Sequence, residues 1–233
     1  MRILLKHLVI FVSITFVTSC TSTNMSQSSS SFSPIQGVIY RIPEWKEYND
    51  ALFSLLYKNF SEKPYARYTV TPSFDAEYAF SVETIEGKKY IISNKLSENL
   101  HPAGYGKKPD KDGRIKWSAD IAKQNVKLNT SKTEISNELY LIIGELFELL
   151  ANISKDELRT PIIVDGTRCY FETTDKNGEI KMNVTLFSNF DKESSLGRFV
   201  HICENLFSLG FGENIDQTKI IEEIILLIND LKK

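Results

Sequence analysis

Thr167-Arg-Cys-Tyr-Phe-Glu-Thr173 and Glu179-Ile-Lys-Met-Asn-Val-Thr-Leu-Phe187, joined around Asp175-Lys-Asn177-Gly178, decide the fold class. On each side of the turn aromatic and β-branched residues alternate with polar ones, the pattern of a strand with one buried face. Asn-Gly between two such segments supplies the positive φ of a tight connection and is the strongest short-range hairpin signal. An antiparallel pair therefore lies in the C-terminal third of the chain, and the other segments must extend it or cover it.

Upstream, Ala76 to Thr84 and Lys88 to Ser93 flank Glu86-Gly87 in the same way. Ile42-Pro43-Glu44 opens a helix with Pro in its first turn, and Trp45, Tyr48, Leu52, Leu55, Leu56 and Phe60 follow at helical spacing. Residues 94–118 form a long irregular segment, and a strand is predicted from about Ile121 to Leu128. Ser131-Lys-Thr-Glu134 fits a capping box opening an apolar helix through Ile135, Leu139, Ile142, Leu146, Phe147 and Leu150, ending near Ala151. After the Asn-Gly hairpin, a helix bearing Cys203 stops near Gly210 or Gly212, and Asp216 caps a last helix running to Leu231. These elements predict an α+β fold, an antiparallel sheet of about five or six strands with three or four helices packed on one face.

At the N-terminus, Arg2 and Lys6, an apolar run from Ile3 to Val17 and small residues before Cys20 read as a secretory signal too short to span a bilayer. Val17-Thr-Ser-Cys20 resembles the lipobox of bacterial lipoproteins, in which signal peptidase II cuts before the cysteine and the new N-terminus is lipidated. The resemblance covers this segment alone and implies lipidation of Cys20. Residues 1–19 are then the signal peptide, residues 20–40 the lipidated cysteine and a Ser-rich polar tether, and residues 41–233 a single globular domain. Several acyl chains at about 0.8 kcal/mol per buried CH₂ hold such a protein on its membrane. Thr21 stands where many inner-membrane-retained lipoproteins carry Asp, and no acidic cluster precedes Glu44. The resemblance thus implies delivery to the outer membrane, facing the periplasm.

Loss of the signal peptide takes two of the 28 basic residues and none of the 30 acidic ones, for a mature charge of −4. A mild acidic excess without a basic stripe argues against nucleic acid as a partner, because phosphate neutralisation needs clustered Lys and Arg. Cys169 and Cys203 both fall on apolar faces, where they act either as small buried hydrophobes or, in an oxidising compartment, as a disulfide if their Cα atoms come within about 7 Å. The mature histidines, His101 and His201, lack the spacing of metal ligands. Asp110-Lys-Asp112-Gly113 and Asp175-Lys-Asn177-Gly178 resemble pieces of a calcium loop but lack its closing Glu, and read as turns. There is no G-x-S-x-G, no Ser-x-x-Lys set and no Gly-rich nucleotide fingerprint, so neither a catalytic residue nor a cofactor is predicted.

The strongest interaction candidate is the long loop, where Lys107, Lys108, Lys111, Arg114 and Lys116 crowd around Tyr105 and Trp117 in an otherwise acidic chain. Cationic and aromatic residues together are the material of binding hot spots, although the same composition also suits a solvated lysine loop. Tyr65, Tyr68 and Tyr78 are a second candidate that strand packing explains equally well. Small periplasmic lipoproteins without catalytic motifs are similar in address and architecture to immunity proteins, which occlude an incoming antibacterial toxin. That resemblance implies a non-enzymatic, lipid-anchored envelope protein that binds another protein, with the basic loop meeting an acidic surface. The alternatives are an assembly lipoprotein with a constitutive envelope partner and, behind it, a periplasmic hydrolase whose two carboxylates no sequence pattern reveals.

Overall fold

The computed structural model describes residues 43–100, 107–109, 111–117, 126–152, 166–187 and 193–233. The strands are β1 (Ala66–Thr71), β2 (Tyr78–Ile85), β3 (Lys88–Leu96), β4 (Lys107–Pro109), β5 (Ile115–Trp117), β6 (Leu128–Glu134), β7 (Thr167–Thr174) and β8 (Ile180–Phe187). The helices are α1 (Pro43–Leu56), α2 (Asn137–Asn152), α3 (Ser195–Gly210) and α4 (Gln217–Leu231). Six strands form one sheet in the order β6-β3-β2-β1-β7-β8, antiparallel throughout, while β4 and β5 make a separate two-stranded ribbon. The architecture is α+β, as the pattern predicts. Among the described residues no helix is long and apolar enough to cross a membrane.

Both predicted hairpins form, each for a local reason. Glu86 (φ 52°) and Gly87 (φ 81°) turn β2 into β3. At the second, the Asp175 carboxylate accepts the backbone N–H groups of Asn177 and Glu179, both at 2.9 Å, and Gly178 takes the left-handed position at φ 80°.

Period-two alternation separates two chemically different faces of the sheet. Tyr68 lies opposite Phe80 and Phe171, and Val82 opposite Ile91, so one face is apolar. α2 and α3 cover it, with α4 resting mainly on those two helices. Phe199 of α3 meets Phe147, Phe171 and Tyr68 edge to face at the centre of this core. Side chains of this size contribute about 1.5–3 kcal/mol each on full burial.

The other face carries Arg67, Thr69, Ser81, Glu83, Asn94 and Glu172, all buried. α2 and α3 thus pack on the apolar face with α4 stacked on them, and α1 lies against this polar one, where Asn94 Nδ2 donates to Leu56 O at 2.5 Å. The side a helix takes depends on the whole sheet, which helical spacing does not encode. Arg67 Nη1 donates to Glu172 Oε2 at 2.9 Å, Nη2 donates to Ser61 O, and the guanidinium lies 4.3 Å from the Tyr57 ring centroid. Glu83 accepts the N–H of Ser61 at 3.0 Å and the hydroxyl of Ser81 at 2.5 Å, tying the α1–β1 connection to the sheet.

Two boundaries differ from expectation. Ser131 and Glu134 belong to β6, paired with Ser93 and Tyr90, and do not cap a helix. α2 starts later, where Ser136 Oγ accepts the Leu139 N–H at 3.1 Å. A ladder along β3 satisfies more backbone groups than one local cap, and a usable cap lay just downstream. Of the strand predicted from about Ile121 to Leu128, residues 121–125 lie outside the described residues, 126 and 127 are not strand, and Leu128 opens β6. The irregular segment 94–118 contains the end of β3 and the β4–β5 ribbon.

Candidate functional site

β3 and β6 are neighbours in the sheet, so the chain between them leaves and re-enters at one place. Leu96 pairs with Leu128, Ser97 N–H donates to Lys127 O at 2.8 Å, and Lys127 N–H donates to Ser97 Oγ at 2.9 Å. Leu100 and Val126, at either end of the excursion, are both buried. The Glu77 carboxylate accepts the Leu100 N–H at 2.9 Å from one oxygen and the Tyr48 hydroxyl at 2.7 Å on the other. Burial raises the Glu77 carboxyl above its ordinary range. These contacts form a closed neck at which the arm, the chain segment 101–125 that carries β4 and β5, leaves and re-enters the sheet.

Within the arm, β4 and β5 pair Lys107 with Trp117, Lys108 with Lys116 and Pro109 with Ile115. Gly113, at φ 77°, helps reverse the chain, and Lys111 and Arg114 are exposed beside it. Lys107, Lys108, Lys116 and Trp117 thus lie on the two strands of one hairpin, with Lys111 and Arg114 between them; Tyr105 lies outside the described residues.

Beside the neck stands a residue that sequence reasoning missed. Phe74, in the β1–β2 turn, is 86% exposed. Its turn is held from outside, since Asn99 Nδ2 donates to Asp75 O at 2.7 Å and Ser73 Oγ donates to Gly166 O at 3.0 Å. Pro72-Ser-Phe-Asp75 is a turn signature with an aromatic residue inside it, and that mismatch was the available signal.

The remaining candidates resolve differently. Cys20 and His101 lie outside the described residues. Cys169 and Cys203 are buried free thiols, so the disulfide allowed by the sequence is not formed; Cys169 Sγ lies 3.0 Å from the Tyr68 hydroxyl instead. Burial pushes both thiols well above their usual range. Tyr68 and Tyr78 donate to Glu204 at 3.3 and 2.7 Å, so two of the three tyrosines serve one half-buried carboxylate. His201 is exposed and 3.3 Å from Asn205 Nδ2. Among the described residues no group of three or more His, Cys, Asp or Glu is placed to hold a metal ion.

An open cleft of about 340 Å³ runs between α2 and the β7–β8 turn, lined by Tyr65, Glu145, Glu148, Asp175 and Lys176 among others. Its carboxylates already have partners. Glu148 pairs with Lys176 at 3.5 Å and Glu145 with Lys232 at 2.7 Å. Asp175 is held below its usual range, foremost by the Glu179 N–H, which is opposite to what a general acid needs.

Fold and site together define an α+β sheet domain with a basic ribbon inserted in the chain between β3 and β6 and an exposed aromatic, Phe74, beside the point of insertion. Comparison with protein-family models, curated proteins and solved structures finds no match to this chain.

Proposed function

We propose that this chain is a lipid-anchored cell-envelope protein that acts by binding another protein, an immunity-type occluder of an antibacterial toxin. On this reading the lipid on Cys20 holds it at the outer membrane facing the periplasm. The observation that supports binding is the juxtaposition of Phe74, on a turn tied from two directions, with the neck of an arm that concentrates Lys107, Lys108, Lys111, Arg114 and Lys116. A rigid turn presents its aromatic ring at little ordering cost, and the cations steer an acidic partner into place.

An affinity pulldown of the detergent-solubilised, lipidated protein from its own cells tests this reading. A stoichiometric secreted toxin is the expected capture. A stable envelope complex would favour the assembly lipoprotein, and an empty pulldown would shift the reading toward a small-molecule binder or an enzyme. With the captured partner, Phe74→Ala should weaken affinity by about 2 kcal/mol, roughly 30-fold, chiefly in the off-rate. Joint replacement of Lys107, Lys108 and Arg114 by Ala should slow association and flatten its salt dependence. An unchanged affinity and salt slope would remove the arm from the site.

A further inference from the structure

We infer that the cleft between α2 and the β7–β8 turn is a carbohydrate-binding site that takes a short, uncharged stretch of glycan. It shares no residue with the arm or the Phe74 turn, so it stands apart from the partner-binding reading.

The cleft extends beyond its main chamber. A second hollow of about 190 Å³ shares Glu148, Asp175 and Lys176 with it and continues to Asn152, Asn177 and Lys181. Gly144 and Ala151 line the α2 side of the two parts, seven residues and so about 10 Å apart along the helix. Small residues make the room here. Gly144 lets the Tyr65 ring lie against α2, since a Cβ at this position would run into the Tyr65 hydroxyl. The result is an open, elongated groove of about the length of a disaccharide.

Its aromatic wall is fixed in place. Tyr65 stacks on Tyr140 with ring centroids 4.1 Å apart and an interplanar angle of 4°, and Lys89 Nζ lies 4.2 Å from the Tyr140 centroid. Tyr65 Oη also donates to Tyr140 O at 3.3 Å. Together with Leu141, exposed in the same cleft, the Tyr65 ring gives a polar groove one ordered apolar surface. The C–H face of a pyranose ring packs on such a surface, while the hydroxyls around its rim need donors and acceptors.

Charge decides which polar ligand fits. Each carboxylate that lines the groove is matched by a lysine: Glu145 by Lys232 at 2.7 Å, Glu148 by Lys176 at 3.5 Å and Asp175 by Lys181 at 3.4 Å. Three carboxylates against three ammonium groups leave no net charge to draw in a cation or an anion. What remains is a close-set series of acceptors and donors, which suits a ligand rich in hydroxyls. Asp175 is anchored by the N–H groups of Asn177 and Glu179, so its position is set before a ligand arrives. On the same wall Thr174 Oγ1 has no hydrogen-bond partner. A buried polar atom left unpaired at the edge of a cleft marks a place for a polar guest.

Saturation-transfer NMR titrations on the full chain, in a detergent that carries no sugar, test the site. Cellobiose stands for a plain glucan and N,N′-diacetylchitobiose for an N-acetylated one, with the chitosan dimer and digalacturonate as cationic and anionic controls. At least one uncharged dimer should bind with millimolar affinity, and the tighter of the two identifies the source; both charged dimers should bind more weakly. Glu148→Ala removes an acceptor at an exposed position and should weaken the better dimer about tenfold. Tyr65→Ala removes the stacking surface and should abolish transfer to the ring C–H protons. If Tyr65→Ala fails to fold, Ala151→Phe, which fills the smaller hollow, takes its place with the same expected loss. Failure of both uncharged dimers to bind would overturn the proposal. So would tighter binding of either charged dimer, or binding that every folded variant leaves unchanged.

Discussion

At Arg67 a guanidinium only 4% exposed is held by Glu172, Ser61 and the ring of Tyr57. Pairs of this kind add little over well-packed apolar residues, because desolvation consumes most of the Coulombic gain, but removing one partner strands the other charge. Arg67→Met should therefore cost about 3–5 kcal/mol in urea unfolding, whereas Arg67→Met with Glu172→Met should recover most of the loss. The opposite logic governs the two thiols. Buried away from water, neither Cys169 nor Cys203 offers a thiolate to a reagent. A thiol-reactive label should leave both unmodified in the native protein and modify both in denaturant; an absent thiol count in denaturant would reveal a bridge.

Helix ends and close approaches decide how the elements fit. Ser194 Oγ accepts the Gly197 N–H at 3.0 Å and Asp216 Oδ1 the Thr218 N–H at 2.9 Å, the caps that start α3 and α4. α3 ends against β3, where a Cβ on Gly210 would stand 2.1 Å from Ser93 Oγ and 2.7 Å from Ile91 Cγ2. Gly210→Ala should destabilise by about 1–3 kcal/mol, each kcal/mol lowering the thermal midpoint by about 2–4 °C. The two hairpins and the last two helices were legible in the sequence because their turns and caps are local chemistry. Ser131 to Glu134 misled because a cap and an edge strand ask for the same Ser and Thr, and only the pairing with β3 separates them. The arm's cations were legible as composition. Its neck and the Phe74 turn were not, because both depend on contacts between distant residues, such as Asn99 reaching Asp75.

For the molecule as a whole, two sets of carboxyls oppose each other with pH. Burial raises Glu77, Glu172 and Glu204 above their usual range, so their contribution to stability is present at low pH and is lost as pH rises through the folded-state values. Asp175 is lowered foremost by the Glu179 N–H, and Asp230, held at about 2, foremost by Arg198. Their contribution is present above the usual Asp range and is lost as pH falls through the lowered values. Thermal stability should rise from pH 8 into the weakly acidic range and turn over below about pH 4. Glu204→Gln should flatten the alkaline limb and raise the midpoint at pH 8 by about 2–4 °C; an unchanged pH profile would show that Tyr68 and Tyr78 already offset the cost of its burial.

The sheet order places β1 between β2 and β7, and β7 follows it by about a hundred residues. At roughly 5–20 residues per second, a ribosome takes about 5–20 s to supply that partner. Throughout this interval β1 to β3 can be formed while one edge of β1 still offers its N–H and C=O groups to any extended chain nearby. One of the two central strands of the finished sheet thus waits longest for its second partner during synthesis, a hazard set by chain order and not by final stability.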